Sequence, residues 1–176
     1  MLALPDSPVF AAVLVVHVPF GLACVLTGLA AALLPKRAGP HPRLGALYFW
    51  CLVVVCTTST VLAVMNWSQD YQLFILAVLS LGTATLGRRA IRRRGRGWVV
   101  THILGMSGSY VALLTAFYLD NAKNLPLWRG LPTWVFWFLP VTVAVPFVVR
   151  ALLRYRTLES RRPAGARSVV RRTGHA

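Results

Sequence analysis

The stretch Arg92–Tyr110, RRRGRGWVVTHILGMSGSY, sets a block of arginines directly against an apolar run that opens at Trp98 and carries His102 four residues on. Working outward from it, the chain has 176 residues, 57% of them hydrophobic, and only four are acidic. Several of its runs reach the ~18–20 apolar residues needed to cross ~30 Å of hydrocarbon. The net charge of +15 would suit a nucleic-acid partner. The basic residues lie between the apolar runs, however, and a nucleic-acid binder has no use for five such runs. Nucleic acid is therefore excluded as the expected partner.

The opening MLALPDSPVF has no basic region and carries Asp6. The apolar run behind it is longer than a signal-peptide core, so it reads as a retained first span. The five spans fall at about 8–34, 44–66, 71–87, 98–119 and 132–153. Helices are the expected form, because a backbone in lipid must satisfy its own hydrogen bonds. The fold class is all-α: a polytopic membrane protein with a five-helix domain over 1–154 and a basic tail over 155–176. The tail is expected to be disordered, and His175 within it has no assigned role.

Orientation follows from the basic residues, which stay in the cytoplasm when loops are short. The loop after the first span holds Lys36, Arg37 and Arg43, the loop after the third holds six arginines, and the chain from Arg150 onward holds eight. The alternate side holds only Lys123 and Arg129, so seventeen face two. The N-terminus is expected outside and the C-terminus inside. Trp67, Tyr71, Trp128, Trp134 and Trp137 then fall at headgroup level, where amphipathic rings anchor. The arginine-rich ends meet the anionic inner leaflet, at ~1 kcal/mol per residue near the surface.

At ~1.5 Å per residue, position in a helix becomes depth. Counting from the outer ends places His17, Thr57–Thr60 and Tyr110 in one layer. Pro19 removes an amide donor beside His17 and leaves the carbonyl of Val15 without its helical partner. A second layer near the cytoplasmic side contains His102, Thr27, Ser80 and Thr83, with His41 and Arg43 in a loop before the second span. Gly105, Ser109, Ala112 and Ala116 recur at helical steps, a pattern that lets helices approach closely in membranes. His102 shares that face and is expected to point into the bundle. An ionisable side chain in a span is a functional-site hypothesis by default.

The spans contain no Asp or Glu by these boundaries, and no haem-attachment, zinc-protease or phosphate-cradling motif occurs. Cys24, Cys51 and Cys56 lie in spans and are read as small hydrophobes. A b-type haem on two imidazoles needs both at one depth. His17 and His102 differ by ~10 Å or more on this counting, which leaves His102 with His41 as the only pair for a haem.

The His in the first span, the His41-Pro-Arg43-Leu-Gly45 segment and the run HILGMSGSY…LLTAFYLDNAKNLPLW resemble a family of predicted bacterial membrane proteins, domain of unknown function 2306. The resemblance covers about residues 15–153. It implies a multi-pass protein of the bacterial plasma membrane, with His17, His41, Arg43, His102 and Tyr110 at recurrent positions, and it implies no activity. A more distant similarity is to the four-helix membrane cytochromes of the b561 type, from which this chain departs by lacking two pairs of facing histidines. The leading expectation is a non-enzymatic or accessory protein that binds a small ligand, a quinone or lipid, between helices through His17, Thr58, Tyr110, His102 and Arg43. The alternatives are a single-haem redox protein using His102 and His41, with or without a partner membrane subunit, and a homo-oligomeric transporter or channel component.

Overall fold

Ser7 starts the first helix by accepting a hydrogen bond from the Phe10 amide at 3.1 Å, and Pro8 follows at a position where no amide donor is needed. The computed structural model describes residues 7–36, 39–121, 124, 126, 128 and 130–160, with side chains described as far as 157. Its elements are α1 (Pro8–Leu33), α2 (Pro40–Met65), α3 (Trp67–Arg93), α4 (Trp98–Asn121) and α5 (Thr133–Ser160). No strand occurs among the described residues. All five helices are long and apolar enough to cross a membrane, with 24 to 28 residues each.

Three helices extend well beyond the bounds expected from the sequence. The second span begins at Pro40, so His41 sits in the first turn of a helix and not in a loop. Prolines are harmless there, because first-turn amides have no intrahelical acceptor to lose. The third helix extends beyond 71–87 at both ends. Asn66 and Asp70 pair across its first turn at 2.9 Å, and the arginines continue the helix past the apolar stretch. Hydropathy marks the thickness of lipid a helix crosses, not where the helix stops. Likewise α5 continues through Ser160, which makes the first residues of the expected disordered tail helical. Residues 161–176, including His175, lie outside the described residues. α1 runs unbroken through Pro19.

Sequence neighbours pack against each other, and α4 also meets α1. His17 meets Thr58, Cys24 meets Tyr48 and Ala31 meets His41, so numbering falls along α2 as it rises along α1, and the two are antiparallel. Tyr48 meets Ser109 and His41 meets His102, so α2 and α4 are parallel. α5 packs on α4, where Tyr118, Trp128 and Phe136 form an aromatic cluster with centroids 5.5–6.4 Å apart.

The core is thin and mixed. Cys24, Tyr48, Leu52, Val55 and Ala84 are buried at its centre. Outside it, large apolar side chains face outward, among them Val15 at 72% exposure, Leu33 at 70% and Phe147 at 64%. Apolar surface on that scale is untenable in water and ordinary against acyl chains. The helices therefore cohere through close approach and polar contacts, not through apolar burial.

The closest approach is between α3 and α4. A Cβ on Gly105 would lie 2.7 Å from the Thr83 carbonyl oxygen and 2.8 Å from the Gly87 backbone. The small-residue face read from the sequence thus forms a contact in which Ser109 is 0% and Ala112 is 3% exposed. Gly105→Ala is expected to destabilise the bundle by about 1–3 kcal/mol, the usual cost of overpacking. Gly82→Ala, where a Cβ would meet nothing within 4 Å, should be neutral. Denaturant unfolding in detergent micelles would check the pair, and equal stability of the two variants would contradict this packing.

Candidate functional site

The polar side chains fall into two groups by what they bond. Thr27, Thr57, Thr60, Thr83, Thr85 and Thr115 donate to carbonyls one turn back in their own helices. These hydroxyls satisfy themselves and join nothing. A smaller set bonds across helices at three levels.

At the middle level, Tyr48 of α2 reaches Ser109 of α4, with the two oxygens 2.7 Å apart. Ser80 of α3 donates to the Ser109 carbonyl at 2.8 Å, so its own oxygen is free to accept from the Ser109 hydroxyl at 3.3 Å. One direction satisfies all three: Tyr48 donates to Ser109, Ser109 to Ser80, and Ser80 to the backbone. Beside them Tyr110 donates to the Val25 carbonyl of α1 at 3.0 Å. Its ring lies where a Gly28 side chain would be, since a Cβ there would come within 2.5 Å of it. The rings of Tyr48 and Tyr110 meet edge to face at 6.1 Å. Four helices are tied together here.

At the arginine-bearing end, His41 of α2 and His102 of α4 meet edge to face, with ring centroids 6.5 Å apart and planes at 85°. His41 Nδ1 lies 2.9 Å from the Ala31 carbonyl oxygen, and His102 Nδ1 lies 3.1 Å from that of Gly87. A carbonyl oxygen only accepts, so each Nδ1 carries a proton. Each neutral ring therefore keeps its lone pair on Nε2. Both rings are half-buried, and among the described residues neither Nε2 has a hydrogen-bond partner. Lys36 donates to the carbonyls of Ala31 and Ala32, each at 2.7 Å, and is the cation closest to this pair in the bonding pattern. Desolvation against the helix end pushes its ammonium pKa down.

At the opposite end, His17 Nδ1 lies 2.8 Å from the Thr58 hydroxyl oxygen. That hydroxyl lies 2.9 and 3.0 Å from the carbonyls of Val54 and Val55 and gives its single proton to them. His17 is then the donor, again through Nδ1. Asp120, at the last turn of α4, is within electrostatic reach of His17 and Asp70.

The five residues read as one ligand site from the sequence are therefore divided. His17 and Thr58 are bonded, as their common depth implied. Tyr110 does not share their layer. It lies against α1 residues 25–28, because the helices do not begin level and counting inward from each end misaligns them. Of the expected hydroxyl cluster Thr57–Thr60, only Thr58 faces His17. Arg43 is exposed, and none of the described hydrogen bonds or ring contacts involves it. His102 does point into the bundle, beside His41. Sequence reasoning missed Tyr48 and Lys36. A tyrosine with small residues nearby in an apolar run was the available signal for Tyr48.

No group of three or more His, Cys, Asp or Glu among the described residues could hold a metal ion. Cys24, Cys51 and Cys56 are free and buried. The His41–His102 pair offers two nitrogen donors. No family model, curated protein or solved structure matches the chain.

The middle-level chain makes a quantitative expectation. Interhelical hydrogen bonds in membranes contribute about 0.6 kcal/mol on average and at most about 1.7. Tyr48→Phe should therefore cost about 0.5–1.5 kcal/mol. Ser109→Ala strands a buried phenol and should cost more, about 1–3 kcal/mol. The double variant should fall short of the sum, as measured by a double-mutant unfolding cycle in mixed micelles. Strict additivity would show that the two hydroxyls do not interact.

Proposed function

We propose that this chain is a non-enzymatic, accessory protein of the bacterial plasma membrane that binds a hydroxyl-bearing small ligand of the quinol class at His41 and His102. In this reading the N-terminus is outside and the arginine-bearing ends lie in the cytoplasm, as the seventeen-to-two distribution of basic residues favours.

The observation that carries the reading is the shared state of the two imidazoles. Each holds its Nδ1 proton on a backbone carbonyl and offers an Nε2 lone pair. A neutral imidazole in that state accepts a hydrogen bond from a hydroxyl, and a quinol presents two. An oxidised quinone would need a donor, so the reduced form is the preferred ligand. Protonation of either ring removes the acceptor.

In a second reading His41 and His102 would hold one b-type haem. Its support is the donor set: two imidazoles with ring centroids 6.5 Å apart, each with its Nδ1 on a backbone carbonyl. Nδ1 donation to a carbonyl is also the usual outer support of a ligating histidine. A bound haem would supply one-electron chemistry.

Solvent extraction of the detergent-purified protein, with mass spectrometry of the retained small molecules, tests the first reading. Co-purified or added short-chain quinol should be retained by wild type and by His17→Ala. Retention should fall about tenfold, the worth of one hydrogen bond of about 1.4 kcal/mol, in His41→Phe or His102→Phe. Equal retention in all four proteins would sink the proposal. A visible absorption spectrum decides the second reading: a Soret band that vanishes in His102→Ala carries it, and a colourless preparation removes it. Impermeant cysteine labelling of tagged termini tests the orientation. Labelling of the C-terminal tag from outside would reverse it.

A further inference from the structure

Six arginines stand between the apolar parts of α3 and α4, and they do not have equivalent surroundings. Arg88 lies over the Phe49 ring of α2, 4.5 Å from its centroid, with Trp50 at 5.8 Å. Arg94, in left-handed backbone at φ 45°, places its guanidinium 5.8 Å from the Trp98 ring. Arg89, Arg93 and Arg96 instead line a groove of about 280 Å³ between the last turns of α3 and the first turn of α4. The rest of its lining is Leu86, Ala90, Gly95, Trp98 and Thr101.

The arrangement has a gradient along the helices. Leu86 and Ala90 come from the apolar side of α3, at the same helical phase as Arg89 and Arg93. Trp98 opens α4 at the boundary, where indole rings settle at headgroup level. No carboxylate is in the lining, so the three arginines carry their charge there without an acidic partner in the groove. Guanidinium forks match phosphate oxygens in pairs. A free phosphate would use the arginines but not the apolar floor. A lipid uses both, with its phosphate at the arginines and its acyl chains along Leu86.

We propose that the groove between the C-terminal turns of α3 and the first turn of α4 is a binding site for the phosphodiester headgroup of an anionic phospholipid, held by Arg89, Arg93 and Arg96. The site is separate from the His41–His102 pair and does not depend on how that pair is read. It fixes one lipid molecule at one helix junction, which is more than the general attraction of a basic loop to an anionic leaflet.

Native mass spectrometry of the full chain in maltoside micelles, titrated with dioleoyl phosphatidylglycerol, tests this. The groove variant carries Arg89→Gln, Arg93→Gln and Arg96→Gln. The control loses equal charge elsewhere through Arg92→Gln, Arg154→Gln and Arg156→Gln. The first lipid bound should weaken by about a hundredfold in the groove variant, near fivefold per arginine removed. It should weaken by less than about threefold in the control, whose arginines do not line the groove. Phosphatidylcholine should bind all three proteins weakly and alike, and millimolar inorganic phosphate should not displace the bound lipid. Equal losses in the groove and control variants would reduce the effect to leaflet electrostatics and overturn the proposal. Displacement by inorganic phosphate would overturn the lipid assignment. Circular dichroism should show wild-type helicity in each protein. If the triple variant does not fold, the single variant Arg93→Gln against Arg92→Gln reads the same comparison at about fivefold.

Discussion

A polar side chain inside a bilayer has to find its hydrogen bond on the protein, because lipid offers none. This bundle depends on that constraint. Its helices are coated with outward-facing Val, Leu and Phe, and lipid attracts these about as well as another helix would. Apolar burial therefore cannot fix which helix touches which. The groups that can are those whose unmet hydrogen bond would be costly: Tyr48, Ser80, Ser109, Tyr110 and the three histidines of the helices. Each is satisfied on a different helix from its own, and each such bond sets one register.

The glycines let those bonds form. At Gly87 and Gly105 the backbones of α3 and α4 come so close that no side chain fits between them. That approach brings the Gly87 carbonyl within 3.1 Å of His102. Gly28 does the same for Tyr110, whose ring fills the place a side chain would take. Packing and polarity are thus one mechanism, since shortening the distance between helices gives the buried donors acceptors to reach. It also explains why all three histidines present the same nitrogen to the protein. A ring held at Nδ1 keeps its other nitrogen for something else.

Much of this was legible in the sequence. The five apolar runs gave five helices, because segment length and polarity follow directly from bilayer thickness. The Gly105–Ser109–Ala112 spacing marked the tight face of α4, because helical period maps spacing onto one side. The bond between His17 and Thr58 was legible as a shared depth. Other features were not, for identifiable reasons. Prolines 40 and 42 suggested a loop, yet a helix accepts proline in its first turn, and so His41, though paired with His102 by depth, was placed outside the helix that carries it. Counting inward from span ends assumed helices that start level, which put Tyr110 with His17 when it lies about two turns further along α1. Tyr48 lay in an ordinary apolar run, and its importance comes from a serine sixty-one residues away that only the fold supplies.

The fifth helix is held differently from the others. The interhelical hydrogen bonds given above run among α1 to α4, and α5 packs along α4, in part through the rings of Tyr118, Trp128 and Phe136. Ring contacts resist separation but only weakly resist sliding and rolling. The hydrogen bonds thus brace α1 to α4 against one another, and the aromatic seam sets α5 along the side of that frame. Lateral pressure from the surrounding bilayer would be taken up there first, leaving the geometry of the imidazole pair undisturbed.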